Sequence, residues 1–238
     1  MAGGFYTALS GMRARMEALD RVASDIANAS TAGYKGERST TEQANRPSFG
    51  AVLQSAVDVV TGASRTDFRP GAMTPTGRSM DVAIEGMGFL TVQTAQGERY
   101  TRNGHFVRRA DGALATDEGD AVIGAAGPIQ VGQGDVQIDA DGTVREGRSV
   151  VGNLTVVDFP PGTVFDRDGG TRFRTSAAPQ AIAKPLFTAG SLEQSNVAIV
   201  QRVAELSEVS RNYQTLLRAV SVLMNDVDRG AITELGRR

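Results

Sequence analysis

A chain of 238 residues is long enough to bury a substantial core, either as one elongated domain or as two small ones. Its 25 basic and 27 acidic side chains leave a formal charge of -2 spread along the sequence, which offers no electrostatic footprint for a phosphate backbone or an anionic lipid surface, so nucleic acid is not an expected partner. The absence of cysteine excludes disulfide staples, thiolate chemistry and thiolate zinc sites, while 28 glycines and no tryptophan lean toward turn-rich β structure with small-residue packing.

The opening M-A-G-G-F-Y-T-A-L-S-G-M has no basic stretch leading into an apolar core and a small-residue cleavage site, so a cleaved signal peptide is not expected. No run of about 18 apolar residues is present to span a bilayer as a helix. From Leu9 the apolar residues fall at Leu9, Met12, Met16, Leu19, Ala23 and Ile26, alternating steps of three and four that keep a narrow seam on one side of a helix. That pattern suits a coiled coil, although a plain amphipathic helix packed on its own domain explains it equally well. The helix is expected to stop at N-A-S-T-A-G-Y-K, where Asn28, Ser30 and Thr31 compete for backbone hydrogen bonds and Gly33 can take a left-handed conformation. Residues 1–36 are therefore read as an N-terminal helical segment. Residues 37–76, with Pro47, Pro70 and Pro75 and no sustained period, read as an extended connector ordered by its neighbours.

Residues 77–190 read as a central antiparallel β domain. Short runs rich in Val, Ile, Phe and Thr alternate with turn signals, of which Asn103-Gly104 predicts a type I′ hairpin and Asp111-Gly112 and Asp141-Gly142 repeat the device. Glu85-Gly86-Met87-Gly88-Phe89 predicts a bulge or tight bend, and Val151 to Phe159 reads as one further strand before Pro160-Pro161. Over residues 191–238 the seven-residue rhythm returns: Ile199, Leu206, Tyr213, Val220 and Val227 lie seven apart, and Val203, Leu217 and Met224 supply most of the second seam position, with Ser210 as its polar exception. Ser195 and Asn196 are placed to cap this helix. The expected fold class is α+β, with the N- and C-terminal helices pairing as a coiled coil and a central antiparallel β-rich domain between them in sequence. Neither seam can be buried alone, so each needs the other or another copy.

The chemistry-bearing patterns are thin. His105, the single histidine, is expected at a strand edge rather than as a general base. G-x-S-x-G, H-E-x-x-H and Walker A runs are absent. Asp139-x-Asp141-Gly142 and Asp166-x-Asp168-Gly169 resemble the start of a calcium loop, but the glycine stands at the fourth place instead of the sixth and the twelfth holds Val150 or Ala177, so both are read as turns. No catalytic residue, metal, cofactor or small-molecule substrate is expected.

Four stretches carry a family resemblance: I-A-N-A-S-T-A-G-Y-K (Ile26 to Lys35), S-M-D-V-A-I-E-G-M-G-F-L-T-V (Ser79 to Val92), Y-T-R-N-G-H-F (Tyr100 to Phe106), and G-S-L-E-Q-S-N-V (Gly190 to Val197) followed by R-N-Y-Q (Arg211 to Gln214). Taken in order they cover nearly the whole chain, which resembles the bacterial flagellar basal-body rod proteins of the rod and hook family, and most closely their proximal-rod branch. The resemblance implies a structural subunit of the rod within the periplasm, exported without a cleaved signal through the flagellar type III apparatus. Its partners would be other copies of itself and other rod proteins, and its terminal helices would pair as the inner layer of a tube that transmits torque and forms the export channel. On that reading assembly rests on Leu9, Met12, Met16, Leu19 and Ile26 with Ile199, Val203, Leu206, Tyr213, Leu217, Val220, Met224 and Val227, while Asn28 and Gly33 shape the turn out of the inner layer. A distal-rod or hook-type subunit, a cell-wall-cutting enzyme with two converging carboxyls, and a module that recruits such an enzyme are the other readings.

Overall fold

The structure is a computed structural model that describes residues 2–39 and 64–235, with side chains described over 11–38, 64–218 and 220–221. Two helices flank a central antiparallel β-rich region, as an α+β reading requires. Helix α1 spans Ala2–Ala27 and helix α2 spans Ile199–Leu235. The strands in the first half are β1 (Glu37–Ser39), β2 (Ser64–Thr66), β3 (Met73–Pro75), β4 (Val82–Ile84), β5 (Phe89–Thr94), β6 (Gly97–Thr101), β7 (Phe106–Arg108), β8 (Leu114–Thr116), β9 (Ala121–Gly124) and β10 (Gly127–Pro128). They are followed by β11 (Val136–Ile138), β12 (Thr143–Glu146), β13 (Ser149–Asn153), β14 (Val156–Asp158), β15 (Asp166–Arg167), β16 (Arg172–Arg174), β17 (Gln180–Ala181), β18 (Phe187–Ala189) and β19 (Ser191–Glu193). The part of the expected connector over 40–63 lies outside the described residues.

The chain forms two compact units: Met1–Ala27, Glu37–Arg65 and Ala198–Arg238 make the helical unit, and Asn28–Gly36 with Thr66–Val197 make the β unit. In the β unit a sheet runs in the order β15-β16-β6-β5-β9-β8-β7, with β10 beside β9 and β14 joining β5 to β17. A separate meander, β11-β12-β13, and the pairs β18-β4 and β19-β3 complete it, so the last strands before α2 close against the first strands of the unit.

Alternation along β5 divides the apolar residues between two cores. Leu90 and Val92 join Val82, Phe106, Leu114, Ile138 and Leu154 in one, whereas Phe89 joins Tyr100, Phe159 and Phe173 in the other. Phe68 seals the second, meeting Phe89 edge-on at 5.2 Å between ring centroids and Phe173 at 5.0 Å, a geometry that adds about 0.5–1.5 kcal/mol per pair beyond area burial.

Several turns follow their sequence signals. Asp111-Gly112 turns β7 into β8 with Gly112 at φ 83°, and Asp141-Gly142 turns β11 into β12 with Gly142 also at φ 83°. In both, the aspartate accepts from the backbone N–H two residues on, at 3.1 Å from Ala113 and 2.9 Å from Thr143. Gly86 and Gly88 both take positive φ, which makes the expected bend before β5. Three expectations are corrected. Asn103-Gly104 is not a hairpin, because β6 pairs with β5 and β16 while β7 pairs with β8. Gly104 is required there by close approach, since a Cβ would sit 1.8 Å from the Val82 carbonyl oxygen. The expected strand from Val151 to Phe159 is two strands, β13 and β14, parted at Leu154, whose backbone bridges Gly124. Asn196 does not cap α2: its Oδ1 accepts from Gly36 N at 2.8 Å and its Nδ2 donates to the carbonyls of Asp67 and Arg69. Ser195 Oγ accepts from Val197 N, ahead of the helix.

Candidate assembly surfaces

Helices α1 and α2 pack on each other within the helical unit. On α1 the buried row is Gly11, Ala14, Val22 and Asp25, with Ala18 half-buried between them. Gly11, Ala14 and Ala18 are small and let the helices come close: a Cβ added at Gly11 would lie 4.0 Å from Leu216 Cδ1. The row keeps steps of three and four, but it is displaced around the helix from the large-residue seam. Of that seam, Met12, Leu19 and Ile26 are half-buried, Met16 is exposed, and the side chain of Leu9 lies outside the described residues. On α2, Leu206, Val209, Tyr213, Leu216 and Val220 are half-buried, whereas Ile199, Val203 and Leu217 are exposed and Val200 is the most exposed of all. Met224 and Val227 carry side chains outside the described residues. Sequence reasoning missed Gly11, Ala14, Ala18, Val209 and Leu216. The small-residue spacing Gly11-Ala14-Ala18 was the available signal, masked by larger apolar neighbours.

An ion pair closes one end of this helix contact. Asp25 is buried and its Oδ2 lies 2.9 Å from Arg202 Nη2, while both its oxygens accept from Glu37 N at 3.3–3.4 Å. Arg202 also donates to the Glu37 carbonyl and to Glu205 Oε2, 2.6 Å away.

The β unit holds the turn after α1 through a second buried cluster. Asn28 O accepts from Thr31 N at 3.1 Å, and Gly33 takes φ 69°, the left-handed conformation its residue type permits. Gly33 N donates to Glu193 O at 2.7 Å, and Lys35 Nζ reaches Glu193 Oε1 at 2.5 Å and Arg69 O at 2.9 Å. The other Glu193 oxygen lies 3.3 Å from Arg102 Nη1, and Gly71 N donates to Oε1 at 2.9 Å. Lys35, Glu193 and Arg102 are all fully buried. Burial pulls the Lys35 ammonium below lysine's ordinary range, with Glu193 opposing; burial likewise lowers Arg102 against the attraction of Glu193 and Asp158.

The remaining ionisable candidates are engaged in turns and pairs. His105 Nδ1 lies 2.8 Å from Asp81 Oδ1 and its Nε2 lies 3.3 Å from Arg78 Nη1, so both ring nitrogens have partners at the isolated Asp81–His105 bridge. Asp139 pairs with Arg145 at 2.5 Å and Asp166 with Arg174 at 3.3 Å. Thr143 N holds Asp141 below the ordinary carboxylate range, and a hydrogen bond from Arg99 does the same for Asp168. Among the described residues no group of three or more His, Cys, Asp or Glu is arranged to hold a metal, and no helix is long and apolar enough to cross a membrane.

Two family descriptions match this architecture. Flagella basal body rod protein covers residues 5–35, which is most of α1 and the turn to Lys35, and flagellar hook protein FlgE/F/G D1 domain covers residues 83–146 in the β unit. The flagellar basal-body rod protein FlgF of Caulobacter vibrioides is 36% identical over 100% of this chain and 99% of its own length. FlgF of Escherichia coli is 33% identical over 96% of this chain and 97% of its own, and the flagellar basal-body rod protein FlgG of Bacillus subtilis is 28% identical over 90% and 92%. A terminal helix and a β unit that match in this order define a flagellar rod or hook protein. The chain belongs to the flagellar basal-body rod protein family, in its FlgF group.

Proposed function

We propose that the chain is a structural subunit of the proximal flagellar rod, polymerising into the shaft that transmits torque and encloses the export channel. The observation that carries this reading is the division of each terminal helix into two apolar rows. One row is used when α1 and α2 pack within the chain; the other leaves Met16, Ile199, Val200, Val203 and Leu217 41–84% exposed. Burying a side chain of this size contributes about 1.5–3 kcal/mol, and these side chains are left exposed among the described residues of the monomer. A copy that uses the open row of one subunit and a different face of the next makes a heterologous contact, which extends into a filament instead of closing as a dimer. The seven-residue rhythm supports coiled-coil geometry in that layer. The family match supports a place in the periplasmic part of the basal body, and other rod proteins together with the flagellar export apparatus as partners. The half-buried row of α2 contains the seam residues Leu206, Tyr213 and Val220, so these serve the contact inside the chain, while Val203 and Leu217 serve the contact between chains.

The test substitutes the open row. Chains carrying Met16→Glu with Leu217→Glu should keep the helix content of the parent by circular dichroism, yet fail to restore rods and motility in cells that lack the native subunit. Rods that assemble normally from the doubly substituted chain would overturn the reading.

A further inference from the structure

Asn28–Gly36 packs as part of the β unit, although the chain on either side of it, α1 and Glu37–Arg65, belongs to the helical unit. It is attached to the rest of the β unit entirely by non-covalent contacts. Gly33 N and Lys35 Nζ both bond Glu193, Gly36 N bonds Asn196, and Gly36 O accepts from Asp67 N at 2.8 Å. The Arg167 guanidinium stacks over the Tyr34 ring at 4.5 Å and donates to the Lys35 carbonyl. Tyr34 and Lys35 are fully buried, and the backbone at Gly33 passes so close to Asn103 that a Cβ would meet its nitrogen at 2.3 Å. Shape, charge and hydrogen bonding therefore select three consecutive residues, glycine, tyrosine and lysine, in the manner of a peptide held in a groove. We propose that the β unit is a receptor for this segment, and that the Asn28–Gly36 segment of a second copy can fill the receptor in place of the chain's own. Exchange preserves every contact because both segments have the same sequence, and this makes swapping of identical elements a low-cost route to association. The hydrogen bonding specifies the occupant: Arg102 engages one oxygen of the buried Glu193 carboxylate, and the segment brings Lys35 to the other.

The receptor is tested with a fluorescein-labelled peptide spanning Asn28 to Glu37, titrated against the full chain carrying Gly33→Val, whose own segment is excluded by the clash at Asn103. The expected result is binding at least tenfold tighter than to the parent chain, whose groove is filled, and at least tenfold weaker when the peptide carries Lys35→Met. A variant with the parent's β circular dichroism that binds the peptide no better than the parent does would overturn the receptor; if that variant loses the β signal, the Tyr34→Ala chain is titrated in its place. Exchange is tested by co-refolding chains carrying Lys35→Glu and Glu193→Lys, each of which sets like charges together when folded on itself. One-to-one pairs in native mass spectrometry that neither chain forms alone are expected, and a mixture showing only the species of the separate chains would overturn exchange. Neither outcome touches the rod reading, which rests on the open rows of the helices.

Discussion

At Glu193 one carboxylate meets two cations from 158 and 91 positions away, all three side chains being buried. Glu193→Gln removes the carboxylate to which both buried cations bond, and the expected loss is about 3–5 kcal/mol of unfolding free energy, measured by urea denaturation. Lys35 adds a pH dependence whose sign follows from its direction of shift. An unfolded lysine titrates near about 10.4; burial sets the folded value lower, so between the two the unfolded chain binds more protons and stability rises with pH. Below the folded value both states are protonated and the burial penalty is felt in full. The parent chain should therefore gain stability relative to Lys35→Met as pH rises on the alkaline side, a comparison in which the Tyr100 phenol, raised by burial in both chains, cancels. None of this cluster was legible as a cluster: Lys35 and Glu193 each stand in a recognisable motif, but their meeting depends on strand pairing. Asn103-Gly104 shows the same limit, since the dipeptide suits a hairpin and the fold uses its glycine for close approach to Val82.

At the level of elements, both helices were legible from periodicity, and the packing face of α1 was not. Large apolar residues drew the reading toward Met12, Met16 and Leu19, whereas the contact inside the chain uses Gly11, Ala14, Ala18 and Val22. Two rows of seven-residue rhythm coexist on one helix, and hydrophobic size alone does not say which row faces which partner. Gly11→Ala should raise stability by about 1 kcal/mol in thermal or urea unfolding, because the helix gains propensity and the new methyl falls in ordinary contact with Leu216 at 4.0 Å. Gly11→Leu should lower it by overpacking the same contact. The short β connections were more legible, because Asp-Gly at residues 111–112 and 141–142 encodes its turn through local backbone and side-chain bonds. The division of Val151 to Phe159 into β13 and β14 was not, since both pieces are equally apolar and only their partners differ: β12 for one, β5 and β17 for the other.

At the scale of the whole molecule, the boundary between the units does not coincide with the end of α1 in any simple way, because the nine residues after it pack with the β unit. Limited trypsin digestion of dilute protein reads this out. Cleavage is expected after Arg13, Arg211 and Arg218, which are exposed on the helices, and after the exposed Arg38 and Arg65, but not after Lys35, Arg99 or Arg102, which are buried. The fragment that carries Tyr34 and Lys35 should then elute with the β unit in size-exclusion chromatography, although its peptide link has been cut. Rapid cleavage at Lys35, or a free fragment, would show that the buried cluster does not hold the segment.

By itself the sequence determined the class of architecture and the family: helices at both ends with a seven-residue rhythm, an antiparallel β middle punctuated by Asp-Gly turns, and four motifs in order. These are local or periodic properties, set by backbone preference and by the spacing of apolar residues along one element. Tertiary structure alone decided which apolar row of α1 meets α2, that Asn196 anchors Gly36 instead of capping a helix, and that Lys35, Arg102 and Glu193 share one buried site. Those outcomes depend on which surfaces come into contact across 91 to 160 positions of chain, and such contacts are selected by shape and by the cost of burying charge without a partner, neither of which any single stretch of sequence contains.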